Sequence, residues 1–467
     1  GGNSYTAQVQ QGGVWSVNVP GTDLSALADN GYTVQVSVSD AAGNPGSAGK
    51  AITLDTTPPT VSFNVVAGDD VINSVEHGQA QIVSGTATGA SVGDKLIITI
   101  GSNQYTTTVD ASGKWSVGVP ASVISALADG TVTLSATITD SAGNSSTQTH
   151  DVVVNTASVA LTVNTLSGDD VINAAEKGED LLLSGTSNQP EGTTITVDLN
   201  GINYAATTDA SGNWSVTVPA SAVSALGEAN YTVTASVTDN VGNSASATHD
   251  VLVDSSLPVV TLNNVAGDNI VNAAEVAAGQ TLTGKVSNAA SGDTVTIIIG
   301  GQTYTATVQD DLTWSLPLTQ SQLTALGNGD LTVSASVTNA HGNTGSSSLD
   351  VTIDAQLPGL RIDTVAGDDV INVIEHAQNL VISGTSTDLA AGSTVTVSIN
   401  GKSYSASVLA DGTWQAAVPA ADVSRWEDGS LTISASAQDT SGNPVNIGTV
   451  VDVDLAPVAI SINSVTD

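Results

Sequence analysis

Thr131-Val132-Thr133-Leu134-Ser135-Ala136-Thr137-Ile138-Thr139 carries an apolar residue at every second position, with Thr or Ser between. Side chains of a β-strand alternate between its two faces, so this stretch predicts a strand buried on one face and wet on the other. Working outward, Pro59 to Ala67, Ala80 to Ala87, Leu96 to Ile100, Gln104 to Asp110 and Trp115 to Val119 precede it, and Gln148 to Asn155 follows. Seven short strands of this kind predict an Ig-like sandwich. Ala111-Ser112-Gly113 supplies the glycine a tight turn needs just before Trp115, as do Ala210-Ser211-Gly212 and Ala410-Asp411-Gly412 before Trp214 and Trp414. Pro120-Ala121-Ser122, leading into Ile124 and Leu127, predicts one helical turn across the end of the sandwich.

The pattern repeats. Trp15, Trp115, Trp214, Trp314 and Trp414 follow one another at intervals of 100, 99, 100 and 100 residues, the size of a small domain and not of a solenoid turn. The expectation is an all-β chain, a tandem array of Ig-like seven-stranded β-sandwich domains in a rod, with the recurring Trp in each core. Residues 1–55 read as the later strands of one repeat, 56–155, 156–254, 255–354 and 355–454 as complete repeats, and 455–467 as the first strand of another. On this reading the chain is an excerpt of a longer array. The linkers, typified by Asp55-Thr56-Thr57-Pro58-Pro59, are too short to behave as flexible coil, so neighbouring domains should touch.

Composition agrees and narrows the function. With 40% hydrophobic but only 3% aromatic residues, the chain is rich in Val, Thr, Ser, Ala and Gly, which favour strands and turns. Eight Lys and Arg stand against 45 Asp and Glu, a formal charge of -37, which makes nucleic acid and anionic membranes poor partners and cations good ones. Without cysteine, any staple beyond packing must be an oxygen-ligated metal. No apolar run approaches the ~18 residues of a membrane span, which predicts no membrane insertion, and Gly1 begins no signal-peptide pattern.

Three acidic motifs recur at the domain period. The first is Asp69, Asp70, Asn73 and Glu76, repeated as Asp169, Asp170, Asn173, Glu176, as Asp268, Asn269, Asn272, Glu275, and as Asp368, Asp369, Asn372, Glu375. The second closes the sixth strand with a Gly before its final Asn: Asp40 to Asn44, Asp140 to Asn144, Asp239 to Asn243, Asn339 to Asn343 and Asp439 to Asn443. The third ends each repeat: Asp55, Asn155, Asp254, Asp354 and Asp454. Oxygen ligands without His or Cys suit Ca2+ better than Mg2+. Turn chemistry accounts equally well for any one Asp-x-x-Gly-Asn loop. A Glu three residues after Asn73 and an acid before each linker favour metal, because turns require neither.

With alternating strands, the first loop and the end of the last strand share one pole, and the second motif lies at the other. Asp69, Asp70, Asn73 and Glu76 should therefore lie near Asn155 and face Asp239 and Asn243 of the next repeat. Two carboxylates about 4 Å apart repel by roughly 4 kcal/mol at an effective dielectric near 20, so calcium would turn a loose junction into a clamp. Asn155, Asn269 and Asn339 replace acids and predict weaker sites.

Gly68-Asp69-Asp70-Val71-Ile72-Asn73 with Glu76, Asp140-Ser141-Ala142-Gly143-Asn144 and the Asp-Thr-Thr-Pro-Pro linker together resemble the bacterial Ig-like repeats of giant type I-secreted adhesins. The Salmonella adhesin SiiE and the biofilm-associated proteins are the nearest types. The resemblance implies a long protein, secreted or held at the bacterial surface, with a calcium-stiffened stalk and an adhesive end elsewhere that meets host surfaces or glycans. Virulence and biofilm roles go with it.

His77, His150, His249, His341 and His376 form no repeated catalytic arrangement, since Lys177 and Val276 stand at the first position in other copies, so no enzyme is expected. A glycan- or receptor-binding module is the alternative. Trp426 alone falls outside the repeated Trp series, and it either covers its own domain's end or offers an aromatic platform.

Overall fold

A computed structural model describes residues 2–461. The chain is all-β and built from tandem β-sandwiches, and it divides into two compact units. The first comprises Gly1–Asp170, Leu181–Pro219 and Asn230–Val251, and the second Val171–Asp180, Ala220–Ala229 and Leu252–Asp467.

In the first unit, repeat 56–155 runs β1 (Thr60–Phe63), β2 (Val71–Asn73), β3 (Gln81–Thr88), β4 (Lys95–Ile100), β5 (Asn103–Thr108), β6 (Lys114–Val119), α1 (Ala121–Ile124), β7 (Gly130–Thr139) and β8 (Ser145–Asn155). One sheet has the order β1-β3-β6 and the other β2-β8-β7-β4-β5. Neighbours are antiparallel except β2 and β8, which run parallel with Asn73 opposite Asn155. Between the sheets lie Leu96, Ile98, Ile100, Trp115, Leu134, Ala136, Ile138 and Val154. Trp115 is 3% exposed, and its ring fills the space over Gly85, where a Cβ would stand 1.8 Å from the Ser62 carbonyl.

Eight strands replace the seven expected. The stretch read as one strand, Pro59 to Ala67, ends at Phe63, and the chain changes sheets through a corner with Ala67 and Asp70 at positive φ. Val66 and Ile72 are both buried, so the chain on either side of the corner is held to the core and the acids ride on the turn between.

Also in this unit, Asn30–Ser39 pairs with Pro45–Leu54 as a two-stranded sheet. Among the described residues no second sheet lies across it, so Trp15 is 43% exposed and Val38 55%, despite the same alternation that buries Leu134 and Ile138. Within repeat 156–254, Leu181–Thr186 pairs with Asn213–Val218, and Thr194–Leu199 with Ile202–Thr207.

In the second unit, Val171–Ile172 pairs parallel with the end of Ser244–Val253. Repeats 255–354 and 355–454 each repeat the arrangement of five strands against three. Trp314 and Trp414 are each 1% exposed. Trp426, at 4%, belongs to the core of its own repeat and closes its end. Residues 455–461 form no strand, and 462–467, the rest of the expected first strand, lie outside the described residues.

Candidate functional site: the inter-repeat junction

Each second-motif loop is a turn braced by its first side chain, an Asp in four copies and Asn339 in the other. Asp239 Oδ1 accepts from the N–H of Val241 and Asn243 at 3.0 and 2.8 Å, and its Oδ2 from Asn243 Nδ2 at 3.0 Å. Gly242 takes the positive φ of 92° that the turn requires. Asp140 and Asp439 brace their loops in the same way, and Asp40 holds Asn44 through 2.8 and 2.9 Å bonds. The Asn44 and Asn144 amides hold the Asp40 and Asp140 carboxyls below the usual carboxylate value. Burial pushes the Asp239 carboxyl up, but the Asn243 and Val241 donors outweigh it and leave it lowered.

The brace aims the final Asn at the preceding repeat. Asn243 Oδ1 accepts from the Ser74 N–H at 2.7 Å, and its Nδ2 donates to the Asn155 carbonyl at 3.1 Å. In the second unit Asn343 joins the Ala174 N–H (2.7 Å) to the Asp254 carbonyl (2.8 Å), and Asn443 joins the Ala273 N–H (2.7 Å) to the Asp354 carbonyl (2.9 Å). These three asparagines are only 2%, 2% and 0% exposed. Asn144 Nδ2 reaches the Asp55 carbonyl at 3.1 Å. The junctions held by Asn243, Asn343 and Asn443 are thus each closed by a buried amide that satisfies a donor of one segment and an acceptor of another, and losing it strands both.

The first motif builds the receiving surface. Asn73 Oδ1 accepts from the Val75 and Glu76 N–H groups at 3.0 and 3.1 Å, while Glu76 Oε2 accepts from the Asn73 N–H at 3.1 Å. This is a reciprocal capping box, repeated by Asn173 with Glu176, Asn272 with Glu275, and Asn372 with Glu375. The expectation that a turn needs no Glu at this spacing is therefore overturned: the carboxylate caps the turn's first N–H.

Asp70 faces inward to its own repeat. Its Oδ1 accepts from the Val66 N–H and from His150 Nε2, both at 2.8 Å, and Asp170 does the same with Leu166 and His249. Burial raises the Asp70 carboxyl, and these donors together hold it below its ordinary value. Asn269 and Asp369 accept from the Val265 and Val365 N–H groups. Asp69, Asp268 and Asp368 accept from the N–H two residues on, and Asp169 stands at the same place in its loop. Asp55, Asn155, Asp254, Asp354 and Asp454 likewise brace the linker N–H two residues on. Asp354 Oδ2 also accepts from Ser441 Oγ at 2.6 Å, and Asp254 Oδ2 from His341 Nδ1 at 2.5 Å.

Among the described residues no three His, Asp or Glu side chains come together as a metal cage. The donors around Glu275, Asp354 and Asp439 are all oxygens from two repeats, which fits calcium chemically. As arranged, those oxygens are engaged with backbone, hydroxyl and side-chain amide donors.

A fourth periodic residue escaped the sequence reading. Asp129 accepts from the Thr156 N–H at 3.1 Å and its hydroxyl at 2.8 Å, tying the linker back to the repeat before it. Asp29 and Glu228 do the same for Thr56 and Ser255, and Asn328 and Asp428 accept from the Ala355 and Leu455 N–H groups. Hydrogen bonds from Ser255, then from Lys177, lower the Glu228 carboxyl to about 2. The signal was present, since these residues keep the Trp period.

A family profile described as a bacterial Ig-like domain matches residues 83–156 and 153–255. A solved segment of a Ca2+-stabilized adhesin, with which an Antarctic bacterium reaches out and binds ice, is 34% identical over 86% of this chain and 100% of its own, at a TM-score of 0.36. The chain belongs to the bacterial Ig-like domain family. Part of a 1.5-MDa bacterial ice-binding adhesin is 32% identical over 64% of this Ig-like chain and 98% of its own, at a TM-score of 0.33. The tetra-tandem repeat from the extending region of a large adhesion protein is 28% identical over 85% and 100%, at a TM-score of 0.34. These similar structures come from adhesins or large adhesion proteins, one of them a tandem-repeat extending region, and no catalytic family is indicated. No curated protein matches the chain. Among the described residues no helix is long and apolar enough to cross a membrane.

Proposed function

We propose that this chain is a stalk segment of a bacterial adhesin, secreted or retained at the cell surface, that spaces an adhesive end away from the cell. The observation that carries this reading is the buried asparagine clip recurring at successive junctions, which ties each linker to the repeats it joins. Each repeat is read as one domain, with boundaries after Asp55, Asn155, Asp254, Asp354 and Asp454. The Gly-Asp-Asp-Val-Ile-Asn loops favour kinship with SiiE and the biofilm-associated proteins, and with them type I secretion, a part in virulence or biofilm formation, and host glycans met by other parts of the parent protein.

Calcium belongs to the same proposal. Glu275, Asp354 and Asp439, with their counterparts at other junctions, would hold it, and the ion would supply attraction where acids of two repeats otherwise repel. Small-angle scattering of the whole chain in calcium and after chelation tests this. The stalk should shorten or bend on chelation, and identical profiles would refute calcium stiffening. Direct glycan binding is disfavoured because Trp426 is buried and leaves no aromatic platform there.

A further inference from the structure

The junction between repeats 156–254 and 255–354 differs from its counterparts in three places. Asn339 stands where the other second-motif loops begin with Asp40, Asp140, Asp239 and Asp439. His341 Nδ1 lies 2.5 Å from Asp254 Oδ2. Asp254 as a carboxylate has no proton to give, so the imidazole N–H is the donor. The equivalent loop residue is Ala142 opposite Asp55, Val241 opposite Asn155, and Ser441 opposite Asp354. Lys177 Nζ at the same junction contacts Glu228 Oε1 at 2.9 Å and Ser255 Oγ at 3.1 Å, where the other complete repeats carry His77, Val276 and His376.

We infer that this junction closes without a divalent ion, because His341 occupies the carboxylate that the ion would bridge. The inference rests on the calcium reading only for the contrast with the other junctions. Asp354 is held by the Ser441 hydroxyl and shares its seam with the acid Asp439, whereas Asp254 shares its seam with the amide of Asn339 and is held by a nitrogen donor, which offers calcium no oxygen. Glu228 is likewise covered by Lys177. A cation arriving here finds fewer free negative charges and must displace His341 first, so the array contains one segment whose joint ignores calcium.

Amide hydrogen exchange on the whole chain in EGTA tests this. Exchange at Ser255 to Leu257 should stay within about twofold of its value in calcium, while at Ala355 to Leu357 it should rise about tenfold, the scale of one lost charge-assisted hydrogen bond. In EGTA, His341→Ala should speed exchange at Ser255 to Leu257 about tenfold, and His341→Asn, whose Nδ2 can stand where Nδ1 was, should restore protection. The pair Asn339→Asp with His341→Ser should make this linker respond to chelation. Wild-type exchange at Ser255 to Leu257 rising on chelation as much as at Ala355 to Leu357 overturns the inference and leaves the calcium reading standing. If no linker responds, the calcium reading falls and His341→Ala alone decides: faster exchange upholds the direct lock, unchanged exchange overturns it.

Discussion

Trp414 and Asn443 are equally hidden, at 1% and 0% exposure, yet they hold different things together. Trp414 sits among Ile382, Val397, Ile399 and Ile433 in the core of one repeat. Asn443 sits in a seam, where its amide is shared between the Ala273 N–H, the Asp354 carbonyl and Asp439. Apolar burial has no direction, so the same Trp-centred core is rebuilt in every complete repeat from slightly different Val, Ile and Leu. A polar seam is directional, and one changed donor alters its character, as His341 does opposite Asp254.

The largest effect should come from the core. Trp414→Ala should destabilise repeat 355–454 by about 3–5 kcal/mol in urea unfolding. Next, Asn443→Ala should cost about 1–3 kcal/mol, because it strands the Ala273 N–H and the Asp354 carbonyl. Calorimetry should show that loss in the coupling between neighbouring repeats and not in the unfolding of each. A loss as large as that of Trp414→Ala would erase the distinction between core and seam. Smaller still, Asp129→Ala should free the Thr156 amide and speed cleavage at that linker in limited proteolysis while leaving the thermal midpoint nearly unmoved.

The smallest effect is a pH dependence at Glu228. Its carboxyl falls from an ordinary 4.5 to about 2, so the folded chain binds that proton less readily than the unfolded chain. The stabilisation is complete above about 4.5 and is lost as pH falls toward 2. The Ser255 amide resonance followed from pH 6 downward, roughly spanning the carboxylate range, should report this, and Glu228→Gln should flatten the curve. A midpoint at the ordinary glutamate value would mean the Lys177 and Ser255 contacts do not persist in solution.

Strand periodicity, the Trp interval and turn glycines by themselves determined the fold class and its repetition, because a sheet buried on one face must alternate and a tight turn must have its glycine. The sandwich pattern and the core place of Trp115 through Trp414 follow from that periodicity, and the helical turn at Ala121–Ile124 from Pro120 before it. The sequence also marked Asp239, Asn243 and Asn73 as a recurring set. Glu76, three residues after Asn73, caps a turn that this local spacing already encoded, whereas only the tertiary structure decided that Asp70 turns back to His150 and that Asn243, not a carboxylate, closes the seam. Periodicity reports which face a side chain occupies, whereas a hydrogen bond depends on the position of a partner some 170 residues away, and no local pattern encodes that distance.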